Sequence, residues 1–205
     1  VKDFASFWHD NIEDQKVFEG FSENTVSNFH MPFGIAPNFL INGNDYAIPM
    51  VTEESSVVAA CANAAKFWYE KGGFKSVVLN SVKLGHVHFT YKGDTDKLKT
   101  FFPDLKSKLI SGVKDITQNM ENRGGGISNI ELLDLSQKEE YLFQLKCSFE
   151  TVDSMGANFI NSCLEAFAEI LVEEIQLSPL FSLKEKDVNV IMSILSNFTP
   201  DCVVR

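Results

Sequence analysis

The sequence predicts an α+β fold, and three observations carry that prediction. Over the second half of the 205 residues the apolar period switches repeatedly between two, the repeat of a strand, and about 3.6, the repeat of a helix. Gly72-Gly73 and Gly124-Gly125-Gly126 end the helical stripes that precede them. The chain is also 44% apolar, enough to bury a real core.

Taken in order, Phe4 to Phe21 is aromatic-rich and acidic, and Phe4, Phe7, Trp8 and Ile12 fall at near-helical spacing, which predicts a short leading helix. From Ser22 to Met50, short apolar runs are broken by Pro32, Gly34, Pro37 and Asn42-Gly43-Asn44. That texture reads as strands and turns, with the Asn-Gly-Asn element turning Phe39-Leu40-Ile41 into Tyr46-Ala47-Ile48. Val57 to Tyr69 carries Val57, Val58, Cys61, Ala65 and Trp68 at helical intervals, behind the acidic and hydroxyl run Glu53-Glu54-Ser55-Ser56. This predicts a helix buried along most of its girth.

Beyond it, Val87, Phe89 and Tyr91 alternate with His86, His88 and Thr90 as a strand. Leu105, Leu109, Val113, Ile116 and Met120 form a helical stripe entered near Pro103. Two strands follow, about Ile127 to Leu135 and Phe143 to Phe149, the second alternating with Gln144, Lys146, Ser148 and Glu150. From Asp153, a long amphipathic helix is outlined by Phe159, Ile160, Cys163, Leu164, Phe167, Ile170 and Leu171, with Glu165, Glu169 and Glu173 on its wet face. Val188 to Leu195 supplies a last strand. The order β-α-β-β-α-β is that of the ferredoxin-like fold, in which both helices cover one face of an antiparallel sheet.

Charge and cysteine usage narrow the function. With 28 acidic against 18 basic side chains the net charge is −10, and with no basic patch to override it the chain should repel nucleic acid and anionic lipid. Cys61, Cys147, Cys163 and Cys202 form no CxxC pair, which suggests reduced core thiols in a cytoplasmic protein. The start, Val1-Lys2-Asp3, lacks the apolar segment of a signal peptide, and no stretch reaches the roughly 20 apolar residues of a membrane span. His86-x-His88, with no cysteine or paired carboxylate nearby, reads as a wet strand face and not a metal site.

The most specific motif is Asp153-Ser154-Met155-Gly156-Ala157-Asn158, placed where a strand ends and the long helix begins. Asp153 can cap that helix, Gly156 leaves room for close approach, and first-turn N–H groups with the helix dipole can hold a phosphate. An ordinary capped helix start would look the same. Two further groups invite chemistry: Glu53-Glu54 with Ser56 at the earlier helix start, which read alone could be a dipole-compensating cap, and Asn197, which could equally be a turn residue before Pro200.

Asp-x-Met-Gly-x-Asn, with Lys146 and Ile160 around it, resembles the signature of 3-hydroxy-3-methylglutaryl-coenzyme A reductases. Other elements recur in that family's order: Ser22-Glu23-Asn24; Ile41-Asn42-Gly43 with Tyr46 and Ile48-Pro49; Glu53-Glu54-x-Ser56-x-Val58-Ala59-Ala60; Gly72-Gly73-Phe74; Gly124-Gly125-Gly126 with Ile130-Glu131; and Leu195-Ser196-Asn197. Together they span nearly Ser22 to Asn197, and the GGF and GGG elements are similar to the class II form. The sequence departs from the family at Ser55, where many relatives carry proline, and after Glu23-Asn24, which weakens any family role of that segment in dimer contacts.

The resemblance implies that residues 1–84 begin a large substrate-binding domain, that residues 85–198 are a ferredoxin-like dinucleotide-binding domain inserted in it, and that residues 199–205 are a return linker. It implies NAD(H) or NADP(H) as cofactor, coenzyme A as part of the substrate 3-hydroxy-3-methylglutaryl-CoA, no metal, and a homodimer or higher oligomer. Glu54 would be the catalytic acid, and Ser56 would bind the substrate's acyl group. Asp153, Met155, Gly156, Ala157, Asn158 and Asn197 would bind the cofactor. Lys114, Asp115 and Arg123 are candidates for choosing between NADH and NADPH. The family's further lysine, aspartate and histidine would lie beyond Arg205, so this chain alone should bind cofactor without completing turnover. Two other readings stay open: a non-catalytic nucleotide-binding or regulatory homologue, and a ferredoxin-like interaction domain whose Asp153 is purely structural.

Overall fold

The computed structural model describes residues 3–205, arranged as two compact units that meet in the chain between Ser76 and Val77. The prediction drawn from Val1-Lys2-Asp3 rests partly on residues 1 and 2, which lie outside the described residues.

In the first unit, a 3-10 turn at Phe4–Phe7 and helix α1 (Ile12–Glu19) replace the single leading helix. The break is local chemistry: the Asn11 side chain accepts from the Glu13 N–H at 3.0 Å and starts a new helix there. Strands β1 (Phe33–Ile41) and β2 (Asn44–Val51) pair antiparallel through Asn42 and Gly43, whose φ of 52° and 84° fit the tight hairpin expected of Asn-Gly. Pro37 and Asn38 sit at a bulge between Ala36 and Phe39, where a residue lacking an N–H does no harm to the ladder.

Helix α2 (Val57–Tyr69) has the expected bounds but not the expected burial. Only Ala65 is buried, while Phe67, Trp68 and Tyr69 stand exposed on the unit's surface. The helix packs on β1, with Val58 against Gly34, while Trp68 approaches Phe74, their ring centroids 6.5 Å apart, and Lys71 lies over the Phe67 ring.

In the second unit, strands β3 (Val78–Ser81), β4 (Lys83–Tyr91), β5 (Gly126–Asp134), β6 (Leu142–Glu150), β7 (Val188–Leu195) and β8 (Cys202–Val204) are joined by helices α3 (Thr95–Gly112), α4 (Lys114–Asn122) and α5 (Ala157–Leu177). Four strands form one antiparallel sheet in the order β5-β6-β4-β7. Val87, Phe89 and Tyr91 of β4 and Phe143, Leu145, Cys147 and Phe149 of β6 point to the buried face. There they join Leu98, Leu105 and Leu109 of α3 and Ile160, Leu164, Phe167 and Leu171 of α5 in one core.

The single helical stripe through Leu105 to Met120 is two helices. Asp94 caps the first, its carboxylate accepting from the Asp96 and Lys97 N–H groups at 2.8 and 3.2 Å, so Pro103 falls in the helix interior instead of at its entry. Val113, buried with φ −108°, ends α3 and starts α4. The sequence pattern also gave no hint of β3 and β8, which pair as a separate two-stranded ribbon, so the segment expected as linker carries a strand. Cys147 and Cys163 are core thiols, with burial pushing Cys163 up to about 12, whereas Cys202 is exposed on β8. Among the described residues no helix is long and apolar enough to cross a membrane.

The loop from α5 to β7 is tied down by Glu185. The Ser182 backbone N–H, then Lys97 at 2.9 Å and the Ser182 hydroxyl, hold its carboxyl down to about 2. A carboxylate depressed in the folded state stabilises above its unfolded value, and that contribution is lost as pH falls through the folded one. A Glu185→Gln variant is therefore expected to be less stable than the parent at neutral pH and to converge with it between about pH 4.5 and pH 2, followed by urea denaturation at each pH. In the core, Phe89→Ala is expected to cost about 3–5 kcal/mol by the same measurement.

Candidate functional site

The residues singled out by the sequence occupy two places, one in each unit. In the first unit, Glu54 and Ser56 border a concavity of about 390 Å³ with Phe33, Gly34, Thr52 and Val58. Glu53 and Glu54 precede the first turn of α2, which itself carries no acid. The Glu54 N–H donates to the Thr52 hydroxyl oxygen at 3.2 Å, which holds the backbone and leaves the carboxylate exposed. Ser56 stands at the N-cap position with φ 65°, and its hydroxyl donates to the Ser55 carbonyl at 2.6 Å instead of capping a first-turn N–H. A left-handed serine is a conformation usually left to glycine or asparagine.

In the second unit, Met155, Gly156, Ala157 and Asn158 line a concavity of about 260 Å³ with Met120 and Phe159. Gly156, at φ 75°, is the N-cap residue of α5, and no side chain caps that helix. This corrects the role expected for Asp153. Its carboxylate instead accepts from Arg123 Nη2 at 2.7 Å, an exposed ion pair between the β6–α5 turn and the end of α4. The first turn of α5 also carries no acid, so its N–H groups and dipole are open to an anion.

The turn itself is tightly built. Thr151 is fully buried, and its hydroxyl accepts from Lys83 Nζ at 2.6 Å while donating to the Ser154 carbonyl at 2.7 Å. Glu150 accepts from the Val152 N–H at 3.0 Å and from the Ser81 hydroxyl at 2.5 Å, and with the Ser81 bond first these partners lower its carboxyl below the usual range. Val152 sits at φ 56°, a left-handed position for a β-branched residue. Lys83, Thr151 and Glu150 were missed by the motif reading, and Ser154 was named in the motif without a role; the Thr-x-x-Ser spacing at a strand end was the available signal.

Asn197 is exposed just past β7. The Leu195 N–H donates to the Asn161 side chain of α5 at 2.9 Å, which brings the segment carrying Asn197 beside the first turns of that helix. Of the candidates for cofactor choice, Lys114 pairs with Glu121 and Arg123 with Asp153. His86 and His88 sit edge to face, 5.6 Å apart, and burial lowers both below the usual imidazole value. No group of three or more metal-ligating side chains occurs among the described residues.

The profile described as hydroxymethylglutaryl-coenzyme A reductase matches residues 2–205. The chain belongs to this family of oxidoreductases. It is 34% identical over 149 residues to the 3-hydroxy-3-methylglutaryl-coenzyme A reductase of Archaeoglobus fulgidus, covering 73% of this chain and 34% of that protein. It is 30% identical over 186 residues to the probable enzyme of that name from Borreliella burgdorferi, covering 91% and 42%. Among solved structures it is similar to the Streptococcus pneumoniae reductase, with a TM-score of 0.75 and 30% identity over 92% of this chain and 42% of the other. A class II reductase from the same organism bound to NADPH matches with a TM-score of 0.74. The chain thus spans 34% and 42% of the length of the Archaeoglobus and Borreliella relatives.

Two substitutions separate the roles at the turn. Asp153→Ala, which removes only an exposed ion pair, is expected to change stability by less than about 1 kcal/mol. Gly156→Ala places a Cβ 2.4 Å from Thr151 Cγ2 at a positive φ and is expected to cost at least about 2 kcal/mol. Denaturant midpoints check both, and a loss well above about 1 kcal/mol in Asp153→Ala would instead be the mark of a helix cap.

Proposed function

We propose that this chain is part of an NAD(P)H-dependent enzyme that reduces 3-hydroxy-3-methylglutaryl-CoA to mevalonate, or runs the reverse oxidation. The observation that carries the reading is the uncapped start of α5 at Gly156, whose first turn carries no acid, in a chain whose family membership runs over its length. The domain scheme of residues 1–84, 85–198 and 199–205 is proposed with it, the middle part as a ferredoxin-like dinucleotide-binding domain. The antiparallel order β5-β6-β4-β7 supports that assignment, being the order of a split β-α-β pair.

The dinucleotide, when bound, supplies a hydride in each of two reductions, which with two protons convert the thioester to an alcohol and free coenzyme A. The residues here bind and orient. The N–H groups of Ala157 and Asn158 face the anionic part of the cofactor, Gly156 and Met155 set the close approach, and the carboxamides of Asn158 and Asn197 donate and accept at its polar groups. Asp153 orients this edge through Arg123. Glu54 holds a proton for the carbonyl oxygen that gains charge as hydride arrives, and Ser56 hydrogen-bonds the acyl group. The stabilising lysine and the histidine that protonates the leaving thiolate are assigned to residues outside this chain. The assembly is proposed as a cytoplasmic homodimer or higher oligomer, without nucleic acid or membrane as partner.

Titration of the chain with NADH and with NADPH, read by nicotinamide fluorescence, is expected to show saturable binding. Asp153→Ala should weaken it about tenfold or more, the equivalent of about 1.4 kcal/mol. Incubation with 3-hydroxy-3-methylglutaryl-CoA should give no mevalonate. Equal weak binding by parent and variant would instead favour a ferredoxin-like interaction domain, and mevalonate formation would overturn the division of catalytic residues.

A further inference from the structure

We propose that Lys83 is the positioning residue of the dinucleotide site, an inference that rests on the function proposed above. Lys83 opens β4, half-buried, across the ladder from Phe149. Its ammonium has three N–H donors, and two are committed inward: one to the Thr151 hydroxyl at 2.6 Å and one to the Ser154 carbonyl at 2.5 Å. Both acceptors lie in the turn that delivers Met155, Gly156 and Ala157 to the start of α5.

The Ser154 carbonyl is held from two sides, by Lys83 and by the Thr151 hydroxyl at 2.7 Å. With that peptide fixed inward, the residues that follow are directed out toward the concavity they line. The turn would not adopt this shape unaided, because Val152 is left-handed at φ 56° and Gly156 rests directly on the Thr151 side chain. Strain of this kind persists only where surrounding bonds over-determine the backbone. Lys83 supplies charge-assisted bonds from a neighbouring strand, and the charge of nearby Glu150 is engaged by Ser81 and the Val152 N–H. A lysine so anchored acts through the turn and not on the ligand.

The test uses the intact chain, Lys83→Met, which keeps the apolar stem and removes the ammonium, and Thr151→Val, which removes one acceptor of Lys83 and one donor to the Ser154 carbonyl but leaves the charge on that carbonyl. Three quantities are read: affinity for NADH and NADPH, hydrogen exchange of the Met155–Asn158 amides, and the melting midpoint. Lys83→Met is expected to weaken dinucleotide binding about tenfold or more and to speed exchange of those amides by a similar factor, with a midpoint shift of about 4 °C or less. Thr151→Val should fall between the two. Unchanged binding in Lys83→Met would overturn the proposal. Lost binding with fully protected amides would also overturn it, since Lys83 would then be a ligand contact. If the parent chain binds neither dinucleotide, the proposed function fails, and exchange alone decides on Lys83: faster exchange upholds its hold on the turn, unchanged exchange ends it.

Discussion

The second unit depends on how closely α5 can lie on β4. A Cβ added at Gly85 would come within 2.6 Å of Leu164 Cδ1 and 3.0 Å of Ile160 Cγ2, so the helix rests on bare strand backbone. This contact fixes the depth of α5, and the other inward groups follow from it. Phe89 and Phe143 stack beneath, with ring centroids 5.9 Å apart, and Phe167 and Leu171 fill the space between helix and sheet. Each fully buried side chain of this size contributes about 1.5–3 kcal/mol, so the core can support strain elsewhere.

That strain is placed at the turn between β6 and α5. Because β6 is locked in register with β4 and β5, and α5 is seated on Gly85, the residues between Glu150 and Ala157 must bridge a fixed gap. They do so with Val152 and Gly156 at positive φ. A left-handed valine costs roughly 1–2 kcal/mol, and the bonds from Glu150, Thr151 and Lys83 offset it. A turn anchored so heavily presents its outward N–H groups without rearrangement, which lowers the ordering cost of taking a ligand. The first unit uses the same device on a smaller scale at Ser56, also left-handed, directly before α2.

Fold and site were legible in the sequence to different depths. Strands β4, β6 and β7 and helix α5 declared themselves because their apolar period is set by a single buried face. Helix α3 did not, since its start is written by Asp94, a capping residue outside the apolar stripe, and Pro103 was the more conspicuous but misleading marker. Helix α2 was read as buried because composition reports hydrophobicity and not partners; Phe67 and Trp68 are apolar and exposed. The Asp153–Asn158 motif announced a helix start, yet the work of Asp153 depended on Arg123, 30 residues away, a pairing no local pattern records. Lys83 lies farther still from its two acceptors in sequence and was invisible for the same reason.

Charge gives the last constraint. A chain at −10 is a poor host for a dinucleotide unless its acids are kept from the phosphate. At physiological ionic strength charges beyond about 8 Å are screened, so the local inventory decides. Around the start of α5 that inventory is nearly balanced. Asp153 is matched by Arg123, and Glu150 is turned toward Ser81 and the Val152 N–H, with the Lys83 ammonium close by. The acids of α5 begin only at Glu165, about two turns in, where the dipole no longer reaches. What faces outward there is the positive end of the helix, whose exposed N–H groups favour an anion even on a chain that is acidic overall.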